Sequence, residues 1–175
     1  VARFYLIPEL NGLIDHEIEL AKSGKQGRII LKMNALQDPA MIERLYEASQ
    51  AGVKIDLIVR GICCLIPGRK YSRNIRVTRI VDTFLEHARV WYFGNGGKPK
   101  LFLGSPDWMR RNLYRRIEAV TPILDPDLKR ELSDMLSIQL SDKRKACFVD
   151  DHLRNRWKSA RPQKEKIRSQ YTFYE

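Results

Sequence analysis

Apolar residues at Leu10, Leu13, Ile14, Ile18 and Ala21 recur at helical spacing and stop before Gly24, which predicts a first helix from about Leu10 to Ser23. The short apolar run Arg28–Met33 after Gly27 reads as a buried strand with Asn34 at its carboxyl end. Asp38-Pro39 supplies an N-cap and a first-turn proline, and Met41, Leu45, Ala48 and Ser49 share one face of a second helix up to Gly52. Lys54–Val59 is the next strand, and Arg60-Gly61 stands where it ends. Strand, helix and strand with short connections predict a parallel βαβ unit with a right-handed crossover, placing Asn34 and Arg60 on one rim.

Pro67, Gly68 and several basic residues make Leu65–Arg73 an irregular loop. Ile80, Phe84 and Ala88 fit a helix over Arg79–His87. Gly94-Asn95-Gly96-Gly97 then marks a hairpin between strands near 89–93 and 100–104. Arg116–Val120 reads as a further strand. Asp125-Pro126 repeats the cap signal before a helix with Leu128, Leu132, Met135 and Leu136 on its apolar face. Asp150–Trp157 is expected to be a short helix docked through Leu153 and Trp157, and the remainder a loosely held basic tail over 159–175.

At 175 residues and 43% hydrophobic content, the chain is sized for one domain with a genuine core. The net charge of +11 favours an anionic partner. Between Asp142 and Gln170, ten Lys or Arg stand against four acids, so this end carries more than half of the excess. Apolar runs are interrupted by Lys32, Arg60 and Glu86, well short of the roughly 20 residues that a membrane span requires. Cys63, Cys64 and Cys147 are odd in number and two are adjacent, which suits a reducing compartment and lacks zinc-site spacing. Cys63 and Cys64 read as small polarisable packing at a strand end. Because Val1 and not Met opens the sequence, the chain is expected to be part of a longer polypeptide.

The candidate chemistry is phosphate handling. Arg60 offers a planar guanidinium fork, His87 is a side-chain type suited to exchanging protons, and Gly104-Ser105 can bring backbone N–H groups to an anion. His87-x-Arg89 followed by Gly104-Ser105-x-Asp107 looks like the histidine, cation and Gly-Ser pattern of phospholipase-D-like folds. Arg89 replaces the usual lysine, no acid follows between Val90 and Phe93, and the half-signature occurs once.

Longer motifs carry a more specific resemblance. They are Leu31-Lys32-Met33-Asn34-Ala35-Leu36, Val59-Arg60-Gly61-Ile62-Cys63-Cys64-Leu65, Phe84-Leu85-Glu86-His87-Ala88-Arg89, Tyr92-Phe93-Gly94-Asn95-Gly96 and Gly104-Ser105-Pro106-Asp107-Trp108-Met109, continuing through Arg111-Asn112-Leu113 and Arg115–Glu118. Over roughly residues 10–158 the chain resembles polyphosphate kinase of the larger bacterial, phosphohistidine type.

The resemblance implies an α/β, phospholipase-D-like fold: a mixed, largely parallel central sheet, helices on both faces and one β-hairpin. It makes residues 1–158 the C-terminal catalytic domain of an ATP:polyphosphate phosphotransferase, acting reversibly with Mg²⁺. The phosphorylated histidine and the Mg²⁺ ligands of that family lie in domains outside this chain, since neither His16 nor His152 has the flanking pattern; no metal ligand is assigned here. Arg60 matches an arginine contacting ATP or ADP phosphates, and His87 a second essential histidine that contacts phosphate and moves a proton. Arg89, Arg111 and Lys32 are candidate cations lining a polyphosphate tunnel. The isolated chain is expected to be inactive, its partners being ATP or ADP, polyphosphate and the enzyme's other domains. A homo-oligomer is expected, in the cytoplasm, with peripheral membrane association left open and no nucleic acid among the partners. The alternatives are a dimerising phospholipase-D-like phosphodiesterase or nuclease, and a non-catalytic polyanion-binding module.

Overall fold

The computed structural model describes residues 5–158 and 167–173. Eight strands form one sheet in the order β6-β5-β4-β1-β2-β3-β7-β8. Its centre is β1 (Arg28–Met33), β2 (Lys54–Val59) and β3 (Ile75–Ile80), parallel to one another. β4 (Arg89–Phe93) runs antiparallel to β1 and forms a hairpin with β5 (Lys100–Gly104), as expected. β6 (Val120–Ile123), β7 (Ala146–Val149) and β8 (Asn155–Trp157) complete the edges, all antiparallel to their neighbours. The sheet is therefore mixed as predicted, but parallel only at its centre and mostly antiparallel outside it. A local pattern identifies a strand; it does not select the distant partner that sets direction.

Alternation along the strands feeds two cores. Ile29, Leu31 and Met33 of β1, with Leu57, Val59, Trp91 and Phe93, face helices α1 (Leu6–Lys22) and α2 (Pro39–Gln50). Ile30, Ile58, Ile80 and Val90 point to the opposite face, where they meet Leu136, Met135 and Leu140 of α4 (Pro126–Ser141). Helices thus cover both faces. The predicted caps form: Asp38 accepts from the Met41 N–H at 3.0 Å, and Asp125 from those of Asp127 and Leu128 at 2.9 and 3.0 Å. α1 begins a turn earlier than its apolar stripe suggested. Its fully buried Glu17 accepts from the N–H of Arg28 at 2.8 Å and of Asn95 at 2.6 Å, fastening helix to strand and hairpin turn.

Four expectations change. Arg79 and Ile80 belong to β3, whose Ile75, Val77 and Thr78 suit a buried strand, and the residues from Val81 to Ala88 form an irregular loop in place of a helix. The strand expected at Arg116–Val120 starts only at Val120, because Glu118 is drawn into hydrogen bonds with Ser105 and Asn112. Asp150–Trp157 is the turn and second strand of a hairpin. Asp150 closes it by accepting from the N–H groups of His152 and Arg154, both at 2.9 Å, while Leu153 and Trp157 stay 43% and 67% exposed. Of the basic tail, 159–166 and 174–175 fall outside the described residues. Within 167–173 lies a short helix, α5 (Ser169–Thr172), with Ser169 and Gln170 buried and therefore docked, not loose.

Candidate functional site

The loops leaving β1, β2 and β5 are knitted together beyond the sheet. Leu36 forms parallel bridges to both Cys63 and Trp108, and the Leu36 N–H donates to the Ile62 carbonyl at 2.9 Å while Trp108 N–H donates to Ala35 at 3.1 Å. Gly61 N–H donates to the Asn34 carbonyl at 2.8 Å, and a Cβ on Gly61 would stand 2.9 Å from that same oxygen. Only glycine permits so close an approach. The rim is thus an extension of the parallel centre, and side chains standing on it are held by backbone.

Asp107 is its hub. Its carboxylate accepts from the backbone N–H of Asn34 at 2.7 Å and of Ala35 at 3.2 Å, and from the Arg89 guanidinium through Nε at 3.3 Å and Nη2 at 3.0 Å. Burial pushes the Asp107 carboxyl up, but the bonds from Arg89, Asn34 and Ala35 outweigh it and hold the group below the ordinary carboxylate range. Arg89 and Asp107 are both nearly buried, with side chains 13% and 10% exposed.

From this pair the network runs both ways. Arg60 Nε donates to Asn34 Oδ1 at 3.1 Å. Arg89 Nη1 lies 3.0 Å from His87 Nδ1 and donates to the His87 carbonyl, also at 3.0 Å. Arg89 Nη2 also lies 3.4 Å from His87 Nε2, so the guanidinium faces both nitrogens of the ring. Arg60, Asn34, Asp107, Arg89 and His87 therefore form one continuous chain, with His87 exposed at its end. Beside Arg60 lies a cavity of about 240 Å³ lined by Asp82, Phe84, Leu85, Glu86 and Gln170.

The other candidates sit elsewhere. Lys32 points to the α4 face and pairs with Glu86 at 2.6 Å, its side chain only 8% exposed. Arg111 is exposed on the short helix α3 (Arg110–Tyr114) and does not join the network. Ser105 cannot offer its backbone N–H to an anion, since that group donates to the Ala119 carbonyl at 3.0 Å and the hydroxyl is committed to Glu118. Gly104 is instead a packing glycine: a Cβ there would meet Val120 and Pro106 at 3.0 and 3.1 Å. Burial pushes the Cys63 thiol up to about 11, which leaves it protonated at neutral pH and fits a packing role. Among the described residues, no group of three or more His, Cys, Asp or Glu side chains is placed to hold a metal ion, so these residues do not fit Mg²⁺ on their own. Sequence reasoning named Asn34 and Asp107 only as parts of a rim and a motif, and missed Gln170, which carries no periodic or motif signal.

Known proteins resemble the chain over nearly its whole length. The family model described as polyphosphate kinase C-terminal domain 2 matches residues 1–170. Polyphosphate kinase 1 of Chlorobaculum tepidum is 47% identical across 98% of this chain and 25% of its own length. The polyphosphate kinase of Thermosynechococcus vestitus is 56% identical across 77% of this chain and 18% of its own. The chain thus spans about a quarter or less of the curated relatives it matches. The crystal structure of polyphosphate kinase from Porphyromonas gingivalis superimposes with a TM-score of 0.96 at 52% identity, covering 99% of this chain and 27% of that one. NucT from Helicobacter pylori and the phospholipase D family member Nuc from Salmonella typhimurium share the fold alone, with TM-scores of 0.53 and 0.51 at 13% and 17% identity. A match over nearly the whole chain, joined to relatives near half identical in sequence, establishes that this chain belongs to the polyphosphate kinase family, as its C-terminal domain 2.

Proposed function

We propose that the chain serves as the phosphate-gripping domain of an ATP:polyphosphate phosphotransferase, which moves the terminal phosphoryl group of ATP to inorganic polyphosphate and back. The covalent phosphohistidine and the Mg²⁺ site belong, in this reading, to domains outside this chain. The supporting observation is the continuous link from Arg60 to His87 through Asn34, Asp107 and Arg89. Phosphoryl transfer needs little covalent chemistry from the protein beyond aligned groups and neutralised oxygens. Arg60 supplies the fork for the phosphate oxygens, fixed by Asn34. His87, exposed at the rim with its ring held against the Arg89 guanidinium, is the group that exchanges a proton with a departing or arriving phosphate oxygen. Arg89 spends its donors on Asp107 and His87, which makes it a positioning residue in the first instance.

The test is made in the full-length enzyme. His87→Ala is expected to lower the rate of ATP-dependent polyphosphate synthesis by about 10²–10⁴-fold, and Arg60→Ala by about 10²-fold. Because His87 is exposed, its thermal midpoint should stay at the wild-type value. Wild-type rates in both variants would overturn the assignment.

A further inference from the structure

The loop that carries His87 runs from Val81 to Ala88 between β3 and β4 and has no regular structure. Apolar burial does not hold it in place: Val81, Phe84 and Leu85 are 64%, 50% and 72% exposed. Polar contacts do, and most of them come from the far end of the chain. Gln170, buried to 4%, accepts from the Phe84 N–H at 2.7 Å and donates back to the Phe84 carbonyl at 2.7 Å, so one side-chain amide pairs with the loop backbone as a strand would. The same amide donates to Glu86 at 3.0 Å, one residue before His87. Arg168 grips Asp82 through two bonds of 2.8 and 2.7 Å and reaches the Thr83 hydroxyl at 3.0 Å. Tyr171 lies against the Phe84 ring, with centroids 6.0 Å apart.

The other side of α5 is anchored to the body of the domain. The N–H and hydroxyl of Ser169 both donate to Asp142 at 2.8 Å, and the fully buried Asp142 also caps the turn after α4 through the N–H groups of Arg144 and Lys145. From beneath, Glu86 is held by Lys32 and Gln139. The loop is therefore clamped between a buried floor and an outer segment that is itself fixed to α4.

We propose that residues Arg168–Tyr171 form a positioning strap for the His87 loop, with Gln170 and Arg168 as positioning residues that set where His87 stands at the rim. The inference rests on the role given to His87 above. Gln170 lines the cavity beside Arg60, but neither residue is hydrogen-bonded to Arg60 or His87; each acts through Phe84, Glu86 and Asp82. A group displaced by about 1 Å loses much of its catalytic effect, and a loop with little packed apolar surface opens readily unless polar contacts close it.

The experiment compares Gln170→Ala, His87→Ala and the double variant in the full-length enzyme, reading both turnover and amide exchange in the peptide spanning residues 81–88. Gln170→Ala is expected to speed exchange there and to lower kcat, each roughly 10-fold, with the KM for ATP moving less than about 2-fold. In the His87→Ala background the same substitution should cost no further activity, which a general loss of structure would not reproduce. Arg168→Ala, farther from the buried amide and milder, should give the same pattern at smaller size, and it serves as the test if Gln170→Ala does not fold. Unchanged exchange and kcat in both strap variants, alongside an impaired His87→Ala, would overturn the strap and leave the proposed function standing. An equal drop in both backgrounds would also overturn it. Full activity of His87→Ala would sink the proposed function, while the exchange rates would still judge whether α5 holds the loop.

Discussion

The rim around Asp107 and the loop around His87 meet at Arg89 but are built on opposite principles. The rim is backbone: loops after three strands are bridged to one another, and a buried carboxylate collects two N–H groups and a guanidinium. The loop is side chain: exposed apolar residues, with Asp82, Phe84 and Glu86 tied down by groups 50 to 90 residues away in sequence. Under the proposed function this division has a rationale. Cations that neutralise phosphate oxygens work best when fixed in advance, whereas the group that exchanges a proton needs access to solvent or to an arriving partner. The rim supplies rigidity, and the loop supplies a histidine whose place depends on a few polar locks.

The largest effect should come from striking the rim. Asp107→Ala leaves the Arg89 guanidinium buried without a counter-charge and two backbone N–H groups without an acceptor, a loss of about 3–5 kcal/mol. Urea unfolding of the chain measures it, and a cost no larger than that of a surface substitution would end the contrast drawn here. The loop's floor should respond less, and unequally from its two sides. Glu86→Ala strands Lys32, whose side chain is 8% exposed, and removes the acceptor of Gln139 and Gln170, for about 3 kcal/mol. Lys32→Met leaves Glu86, 21% exposed, still accepting from both amides, and should cost about 1 kcal/mol. Equal costs for the two would mean that the floor is a plain ion pair.

The same division explains what the sequence could disclose. β1, α2, β2 and the β4–β5 hairpin were legible because apolar periodicity, an Asp-Pro cap and a glycine-rich turn all act within a dozen residues. The meeting of Asn34 and Arg60 followed from parallel topology alone. β3 was misread because Ile80, Phe84 and Ala88 happen to keep helical spacing, while the pairing of β3 with β2 on one side and β7 on the other decides the matter. β8 and its turn were misread as a helix because a strand of three residues carries too little alternation to outweigh a helix-like run of polar residues. Asp107 stood in a recognised spacing, yet its place as hub depends on the register of three loops. Gln170 had no signal at all: a lone amide in a basic stretch acquires its role from a partner 86 residues back.

Acid offers the finest probe of the two regions. Asp82 in the loop is held below the ordinary carboxylate range first by its bonds from Arg168, against its burial, just as Asp107 in the rim is held down by Arg89 and two N–H groups. Both carboxyls therefore contribute stability that is fully present above their unfolded value of about 3.9 and is lost as pH falls through the lower folded value. The urea midpoint of the chain should accordingly drop on acidification below about pH 4. Asp107→Asn and Asp82→Asn should each lower the midpoint at neutral pH and flatten that drop, because an amide takes up no proton. The rim substitution should lower the neutral-pH midpoint more: the Asp107 contacts join three loops of the core, whereas Asp82 fastens a four-residue helix and part of one loop. A larger loss at Asp82 would mean that the loop, for all its exposed surface, is the more firmly held of the two.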